Sequence, residues 1–158
     1  MATRYWLFKS EPHVFSLQDL ENAPDSTTHW DGVRNYQARN FLRDEIKIGD
    51  KVLYYHSNCD MIGIAGVAEV VKEGYPDHTA QNPDSHYFDP KATPEQPIWY
   101  MVDIKWLETF GQTVTLQELK QTSALQEMKV VQRGQRLSVQ PVEKEHFDMV
   151  LTMGRRQT

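Results

Sequence analysis

Short runs in which apolar and polar residues alternate recur along the chain and predict β-strands. The clearest run is residues 51–57, where every second residue from Val52 onward would face the same side of a sheet. Similar runs, rich in aromatic, β-branched and aliphatic residues, predict strands at residues 5–9, 61–71, 98–107 and 136–140. The short link at 58–60 predicts a hairpin, and Gly63 and Gly66 indicate a bulge or a close approach in its second strand.

Apolar residues three and four positions apart predict helices between the strands. The longest predicted helix starts near Gly32 and ends near Glu45. A capping box that begins at Ser16 predicts a short helix, two more short helices are predicted at 116–120 and 123–128, and a last helix is predicted to start at Pro141. Residues 23–29 and 72–97 are predicted to be loops, and a loop as long as the second usually has a function or is mobile.

Strands and helices mixed in this way predict an α+β fold. The expected form is a small mixed β-barrel, closed or half-closed, with helices packed around it. At 158 residues the chain is expected to form one domain over residues 1–153, with residues 154–158 as a C-terminal tail.

Composition narrows the class and the compartment. Hydrophobic residues make up 39% and charged residues 25% of the chain, which is typical of globular proteins. No apolar run approaches the roughly 20 residues of a membrane helix, so no membrane partner is expected. The chain begins without a secretory hydrophobic segment, and its single cysteine, Cys59, excludes an internal disulfide. These features predict a cytoplasmic protein in a bacterium, or a nuclear protein in a eukaryote.

The net charge of −5 argues against a protein that grips nucleic acid by bulk electrostatics. The basic residues are nevertheless clustered in two windows without any acid, residues 33–43 (Arg34, Arg39, Arg43) and residues 129–142 (Lys129, Arg133, Arg136). If the fold brings these windows together, the patch would suit a few phosphates. Taken on charge alone, a solvated surface is the favoured interpretation.

Individual residues offer candidate chemistry with alternatives beside it. Trp30, at a predicted loop–helix junction, would be either a core residue or a platform on which a base stacks. His56 and Ser57 end a predicted strand, but adjacent strand residues face opposite sides, which disfavours a nucleophile–base pair. His56 and Cys59 lack the additional ligands of a zinc site, and no glycine-rich phosphate loop follows any strand. No metal and no cofactor are therefore expected.

Several short segments of the sequence, taken in order, resemble the EVE domain, a member of the PUA-like superfamily. They are YWLFKSEP at 5–12, WDGVRNYQARNFLR at 30–43, YHSN at 55–58, GIAG at 63–66, DPK at 89–91 and RLSVQPV at 136–142. The resemblance extends from Tyr5 to about Leu151. It implies a PUA-like barrel that binds nucleic acid at a modified base held in a pocket.

The resemblance also implies roles for particular residues. The YTH domain, which reads N6-methyladenine in RNA, is a distant relative, and the tryptophan that matches Trp30 there forms part of an aromatic cage. The second wall would come from the long loop, where Tyr75, Tyr87 and Phe88 are candidates. The implied base pocket is formed by Ser10, Trp30, Asn35, His56, Ser57, Tyr87 and Phe88. The implied phosphate contacts are Arg34, Arg39, Lys91 and Arg136.

The leading hypothesis is a non-catalytic module that reads a modified base in DNA or RNA, with modified cytosine first and adenine second. The base would have to be flipped out or single-stranded in order to enter a pocket. One alternative is an enzyme acting on a modified nucleotide or RNA, with His56 or Asp89 as general acid or base. Another is a protein-interaction subunit with a vestigial pocket.

Overall fold

The computed structural model describes residues 3–156. Its strands are β1 (Tyr5–Ser10), β2 (Thr27–His29), β3 (Lys51–His56), β4 (Gly63–Pro76), β5 (Tyr100–Thr115) and β6 (Val139–Val142). Its α-helices are α1 (Pro12–Phe15), α2 (Leu17–Asn22), α3 (Tyr36–Asn40), α4 (Leu116–Gln121) and α5 (Lys144–Arg155). A π-helical turn continues α3 over Phe41–Glu45, and 3-10 turns lie at Pro24–Ser26, His78–Gln81, Ser123–Leu125 and Lys129–Val131.

The strands form one mixed six-stranded sheet in the order β2-β5-β4-β3-β1-β6. The pair β1–β3 is parallel and the other neighbouring pairs are antiparallel. The α+β class is therefore confirmed, but within the described residues β2 and β6 do not pair, so the expected barrel does not close. Each of these two edge strands is short, and Pro141 within β6 lacks the N–H that a further neighbour would need.

Both faces of the sheet are covered, because alternate residues of the central strands enter two hydrophobic cores. Trp6, Phe8 and Tyr54 belong to the core under α2 and α3. Leu7 and Leu53 belong to the core on the other face, which α4 and α5 cover. Strand periodicity thus places neighbouring residues of β1 and β3 on opposite sides of the sheet, and both strands end at the same edge.

The predicted strands at 5–9 and 51–57 and the predicted hairpin are confirmed by β1, β3 and the antiparallel β3–β4 pair. The register of β4–β5 shifts between Ile64 and Gly66, and a Cβ at Gly66 would overlap the Glu108 backbone, as the expectation of a close approach required. β4 and β5 are longer than predicted, because their distal parts pair with each other from Gly63↔Thr115 to Pro76↔Tyr100. Consequently the predicted loop at 72–97 begins only after β4 ends.

Several predicted elements were wrong at their bounds. The long helix begins at Tyr36 and not near Gly32, because Gly32 has φ +78° and the Asn35 side chain caps the helix by accepting a hydrogen bond from the Ala38 N–H. Part of the predicted loop at 23–29 is β2, which pairs with β5.

The C-terminal third also differs from the prediction. Pro141 pairs with Trp6 inside β6 and does not start the last helix, which begins at Lys144. The predicted strand at 136–140 begins only at Val139, and the predicted helix at 123–128 is reduced to a 3-10 turn. Helix α5 continues into the expected tail as far as Arg155, and residues 157–158 lie outside the described residues.

Candidate nucleic-acid interface

A cleft of about 400 Å³ opens where the parallel strands β1 and β3 end. The register pairs Ser10 with His56, and the Ser57 N–H donates to the Ser10 carbonyl at 3.0 Å, which holds the two strand ends side by side. The cleft is lined by Lys9, Ser10, Glu11, Val14, Trp30, Asp31, Gly32, Val33, Arg34, Ser57, Tyr87, Arg136 and Ser138. Its walls thus come from five separate stretches of the chain, two of which overlap the basic windows and contribute Arg34 and Arg136.

Trp30 belongs to the core and to the cleft at the same time. The backbone N–H of Trp30 donates to the Val102 carbonyl at 2.7 Å, and the ring packs against Phe8 and Tyr54 with centroid distances of 5.2 and 5.5 Å. The residue is 9% exposed and is one of the residues that line the cleft. The two interpretations of Trp30 in the sequence are therefore compatible, since a ring fixed by the core can also present a surface to a ligand.

A buried carboxylate organises the segment that follows Trp30. Asp77 is fully buried, and its Oδ2 accepts hydrogen bonds from the Gly32 N–H at 2.8 Å and from Nη1 of Arg34 at 3.0 Å. Its Oδ1 accepts from the backbone and the hydroxyl of Thr79. Burial by itself raises the pKa of Asp77, but the hydrogen bonds from Thr79, Gly32 and Arg34 outweigh it and hold the pKa below its ordinary value.

Tyr87 brings the long loop into the wall of the cleft. The Tyr87 ring covers Gly32 so closely that a Cβ at this glycine would lie 2.6 Å from the ring. The Tyr87 carbonyl accepts from Nη2 of Arg34 at 2.7 Å, and the guanidinium lies 5.6 Å from the centre of the Tyr87 ring. A side cavity of about 310 Å³ adjoins the cleft and shares Val14, Trp30, Asp31 and Tyr87 with it. Trp30 and Tyr87 are therefore aromatic lining residues of both spaces.

The guanidinium of Arg34 already makes several hydrogen bonds within the protein. Besides Asp77 and Tyr87, its guanidinium donates to the Val33 carbonyl and the Thr79 hydroxyl, and the side chain is 23% exposed. Its structural role is to join the segment after Trp30 to the long loop. The predicted phosphate contact of Arg34 stays a prediction. Arg136, in contrast, lines the cleft as an exposed residue, and no carboxylate pairs with it within residues 3–156.

The cleft brings together Ser10, Trp30, Arg34, Ser57, Tyr87 and Arg136 from the predicted set. The others lie outside its lining. Asn35 caps α3, His56 accepts from the Leu17 N–H through Nε2 at 3.1 Å, and Arg39 donates to the Ile98 carbonyl at 2.7 Å. Phe88 is 40% exposed and Lys91 is exposed. Their predicted roles stay predictions.

Asp31 is a lining residue that the sequence reasoning did not single out, although it follows Trp30 directly. Asp31 lines both the cleft and the side cavity, and its carboxylate lies 3.4 Å from Nε2 of His29. Burial is the largest cause of the raised pKa of Asp31, and the nearby Asp77 adds to it while His29 opposes it. A carboxylate beside an aromatic platform can accept hydrogen bonds from the exocyclic amino group of a base.

The residues named for the enzymatic alternative make other contacts. Oδ2 of Asp89 accepts from the Trp99 indole N–H at 2.7 Å, which lowers the pKa of Asp89, and neither Asp89 nor His56 lines the cleft. Among the described residues no three or more His, Cys, Asp or Glu side chains are arranged to hold a metal ion. No helix in the described part of the chain is long and apolar enough to span a membrane.

This chain belongs to the EVE domain family, whose sequence profile matches residues 4–153. The resemblance seen in the sequence is thereby confirmed. Thymocyte nuclear protein 1 of Homo sapiens is 41% identical over 169 residues, which cover 97% of this chain and 75% of that protein.

Solved structures share the fold at similar identity. The crystal structure of human THYN1 protein in complex with DNA containing 5-methylcytosine has a TM-score of 0.90 and 42% identity, and covers 99% of this chain and 100% of that chain. A crystal structure of a protein from Pseudomonas syringae has a TM-score of 0.89 and 49% identity, and covers 94% of this chain and 98% of that chain.

Proposed function

We propose that this chain is a non-catalytic DNA-binding module that holds one modified cytosine, flipped out or single-stranded, in the cleft. The observation that carries this proposal is the exposed part of Trp30 on the cleft, with the Asp31 carboxylate beside it and the Tyr87 ring in the wall. The complex of human THYN1 with DNA containing 5-methylcytosine supports cytosine as the base and DNA as the partner. The volume of about 400 Å³ lies within the range of pockets that bind small molecules.

Each wall has a different task in this proposal. The base stacks on Trp30, a contact worth about 1–3 kcal/mol for each base. The Asp31 carboxylate accepts a hydrogen bond from the N4 amino group, which thymine lacks. The apolar surface of Val14 and Tyr87 receives the group at C5.

Affinity for unmodified nucleic acid is weak in this proposal, because the cations of the cleft are few. Lys9, Arg34 and Arg136 line it together with the acids Glu11 and Asp31, Arg34 is paired with Asp77, and the whole chain carries a charge of −5. A weak phosphate contribution leaves selectivity to the base pocket.

The test is fluorescence anisotropy at one stated salt concentration. The panel contains single-stranded DNA, duplex DNA and RNA, each with cytosine, 5-methylcytosine, 5-hydroxymethylcytosine or N6-methyladenine. Trp30→Phe keeps an aromatic side chain in the core but reduces the stacking surface, so affinity for the preferred oligonucleotide should fall about fivefold, or about 1 kcal/mol. Trp106→Phe is the matched control, since Trp106 is partly buried but does not line the cleft.

The outcomes separate the alternatives. Tighter binding to modified cytosine that Trp30→Phe weakens and Trp106→Phe does not would support the proposal. Preference for N6-methyladenine or for RNA would keep the pocket and replace the ligand. Equal affinity for all members of the panel, unchanged by Trp30→Phe, would overturn base reading.

A further inference from the structure

A second cavity, which we call the basic cavity, lies beside the cleft. It has a volume of about 600 Å³ and is lined by Lys9, Tyr55, Leu116, Lys120, Val130, Val131, Gln132, Arg133, Gly134 and Gln135. Lys9 also lines the cleft, so the two spaces are neighbours that share one cation. The basic window at 129–142 is divided between them, because Arg133 lines the basic cavity and Arg136 lines the cleft.

The lining of the basic cavity has one sign of charge. It contains the three cations Lys9, Lys120 and Arg133 and no carboxylate. Lys120 and Arg133 are exposed, and within residues 3–156 neither forms an ion pair. The cleft, in contrast, has acids among its lining residues. A cavity with several cations and no acid attracts an anion, since its positive charges are not compensated.

Tyr55 provides an independent sign of a ligand. It is 3% exposed, it lines the basic cavity, and its hydroxyl makes no hydrogen bond to any described residue. No fully buried side-chain polar atom of the described residues lacks a partner, so the small accessible part of Tyr55 includes this oxygen. Burial raises the pKa of Tyr55 to about 12, so the hydroxyl keeps its proton and can donate to an anion.

We propose that the basic cavity binds a phosphodiester of the strand whose base occupies the cleft, through Lys9, Tyr55, Lys120 and Arg133. This inference rests on the proposed function, because the strand is placed by its base. The Nζ of Lys9 lies 3.5 Å from the Gln135 carbonyl and 5.8 Å from the centre of the Tyr55 ring, so it stands at the boundary between cleft and cavity. The strand leaves the cleft past Lys9, and its next phosphates meet Lys120 and Arg133.

The test compares wild type with Lys120→Gln/Arg133→Gln and with Tyr55→Phe. Binding of a single-stranded oligonucleotide containing 5-methylcytosine is measured from 50 mM to 1 M monovalent salt. Each phosphate contact that is lost lowers the magnitude of the slope of log K against log salt by about 0.7, so the double variant should lower it by about 1.4, which is about 65-fold weaker binding at 50 mM if the curves meet at 1 M. Lys47→Gln/Lys105→Gln removes two lysine charges that line neither the cleft nor the basic cavity, and is the control for the loss of two positive charges.

Tyr55→Phe removes only the hydroxyl, so the fold should be retained and only oligonucleotide binding should weaken. Binding of the nucleoside 5-methyl-2′-deoxycytidine, which has no phosphate, should be the same in all variants. Unchanged oligonucleotide affinity and salt slope in both variants would overturn the assignment. If the variants weaken the binding of inorganic phosphate but not of the oligonucleotide, the cavity is a free-anion site and the strand assignment is wrong.

The two proposals fail separately. If wild type binds methylated and unmethylated strands equally while the double variant weakens both, base reading is wrong and the strand contact is supported. If methylcytosine is preferred but the double variant keeps the wild-type salt slope, base reading is supported and the basic cavity has no role.

Discussion

Asp77→Asn is expected to destabilise the protein, because the carboxylate joins two segments distant in sequence. Each of its oxygens serves a different segment. Oδ2 receives the N–H of Gly32 and Nη1 of Arg34 at 2.8 and 3.0 Å, while Oδ1 receives the N–H and hydroxyl of Thr79. An asparagine has one carbonyl oxygen, so in either orientation its NH₂ group faces at least one N–H donor, that of Gly32 or that of Thr79, whose hydrogen bond is lost.

The magnitude follows from the burial of the ion pair. The Asp77 side chain is fully buried, and removing one partner of a buried pair costs about 3–5 kcal/mol. Arg34 keeps its hydrogen bonds to the carbonyls of Tyr87 and Val33 and is partly exposed, so the guanidinium is not left without partners. We therefore expect the lower end of the range, a loss of about 3 kcal/mol in the free energy of unfolding.

The assay is urea-induced unfolding at pH 7, followed by tryptophan fluorescence. The midpoint should fall for Asp77→Asn at an unchanged slope, while Asp84→Asn, an exposed acid of the same loop, should change stability by less than about 0.5 kcal/mol. The folded variant should also bind the methylcytosine oligonucleotide more weakly, since Gly32 and Arg34 lose their anchor. A loss below about 1 kcal/mol would refute the view that this carboxylate assembles the wall of the cleft.

Two further substitutions test the wall of the cleft from other directions. Gly32→Ala should lower the free energy of unfolding by about 1–2 kcal/mol, because φ is +78° and the Tyr87 ring would have to move. Urea unfolding measures this loss, and Gly111→Ala is the control because a Cβ at Gly111 would meet no atom within 4 Å. Asp31→Asn should weaken methylcytosine binding in the anisotropy assay while leaving the protein as stable as wild type or more so at pH 7. Because the pKa of Asp31 is raised in the folded state, the ionised carboxylate destabilises the folded protein at pH 7. Any gain in stability of Asp31→Asn over wild type should therefore vanish as the pH falls below about 4, where Asp31 is protonated in both states. A variant less stable than wild type at pH 7 would contradict this sign.

The strands that bury side chains on both faces were predictable, and the edges of the sheet were not. The alternation of β1 and β3 is visible in the sequence, because successive residues of these strands are buried alternately in one core and in the other. β2 has only Thr-Thr-His and no apolar alternation, and it is a strand because the backbone of β5 is available beside it. The place of Pro141 in β6 likewise depends on an edge that has no further neighbour to pair with.

The candidate site was predictable as chemistry but not as geometry. Trp30 and Arg136 could be singled out by residue type and resemblance, and the fold brings both to the cleft. Arg34 was equally visible as a charge, yet its partner Asp77 is 43 positions away in the sequence. The stretch of sequence around an arginine cannot show whether its guanidinium is available to bind a phosphate or already paired with a buried carboxylate.

The cleft has a fixed wall, Trp30, whose ring is packed in the core, and a second wall, Tyr87, which belongs to the long loop. This difference determines how strongly the protein can distinguish methylated from unmethylated cytosine. Trp30 is set by Phe8 and Tyr54, so little ordering of this side chain is required on binding. Burial of one methyl group contributes about 0.8 kcal/mol, which is about fourfold in affinity. A preference near fourfold therefore needs only contact with the fixed wall. A hundredfold preference would require the Tyr87 wall to close differently on the modified base. In that case Gly32→Ala, which displaces the Tyr87 ring, should remove the preference for the methylated base in a variant that still binds the oligonucleotide.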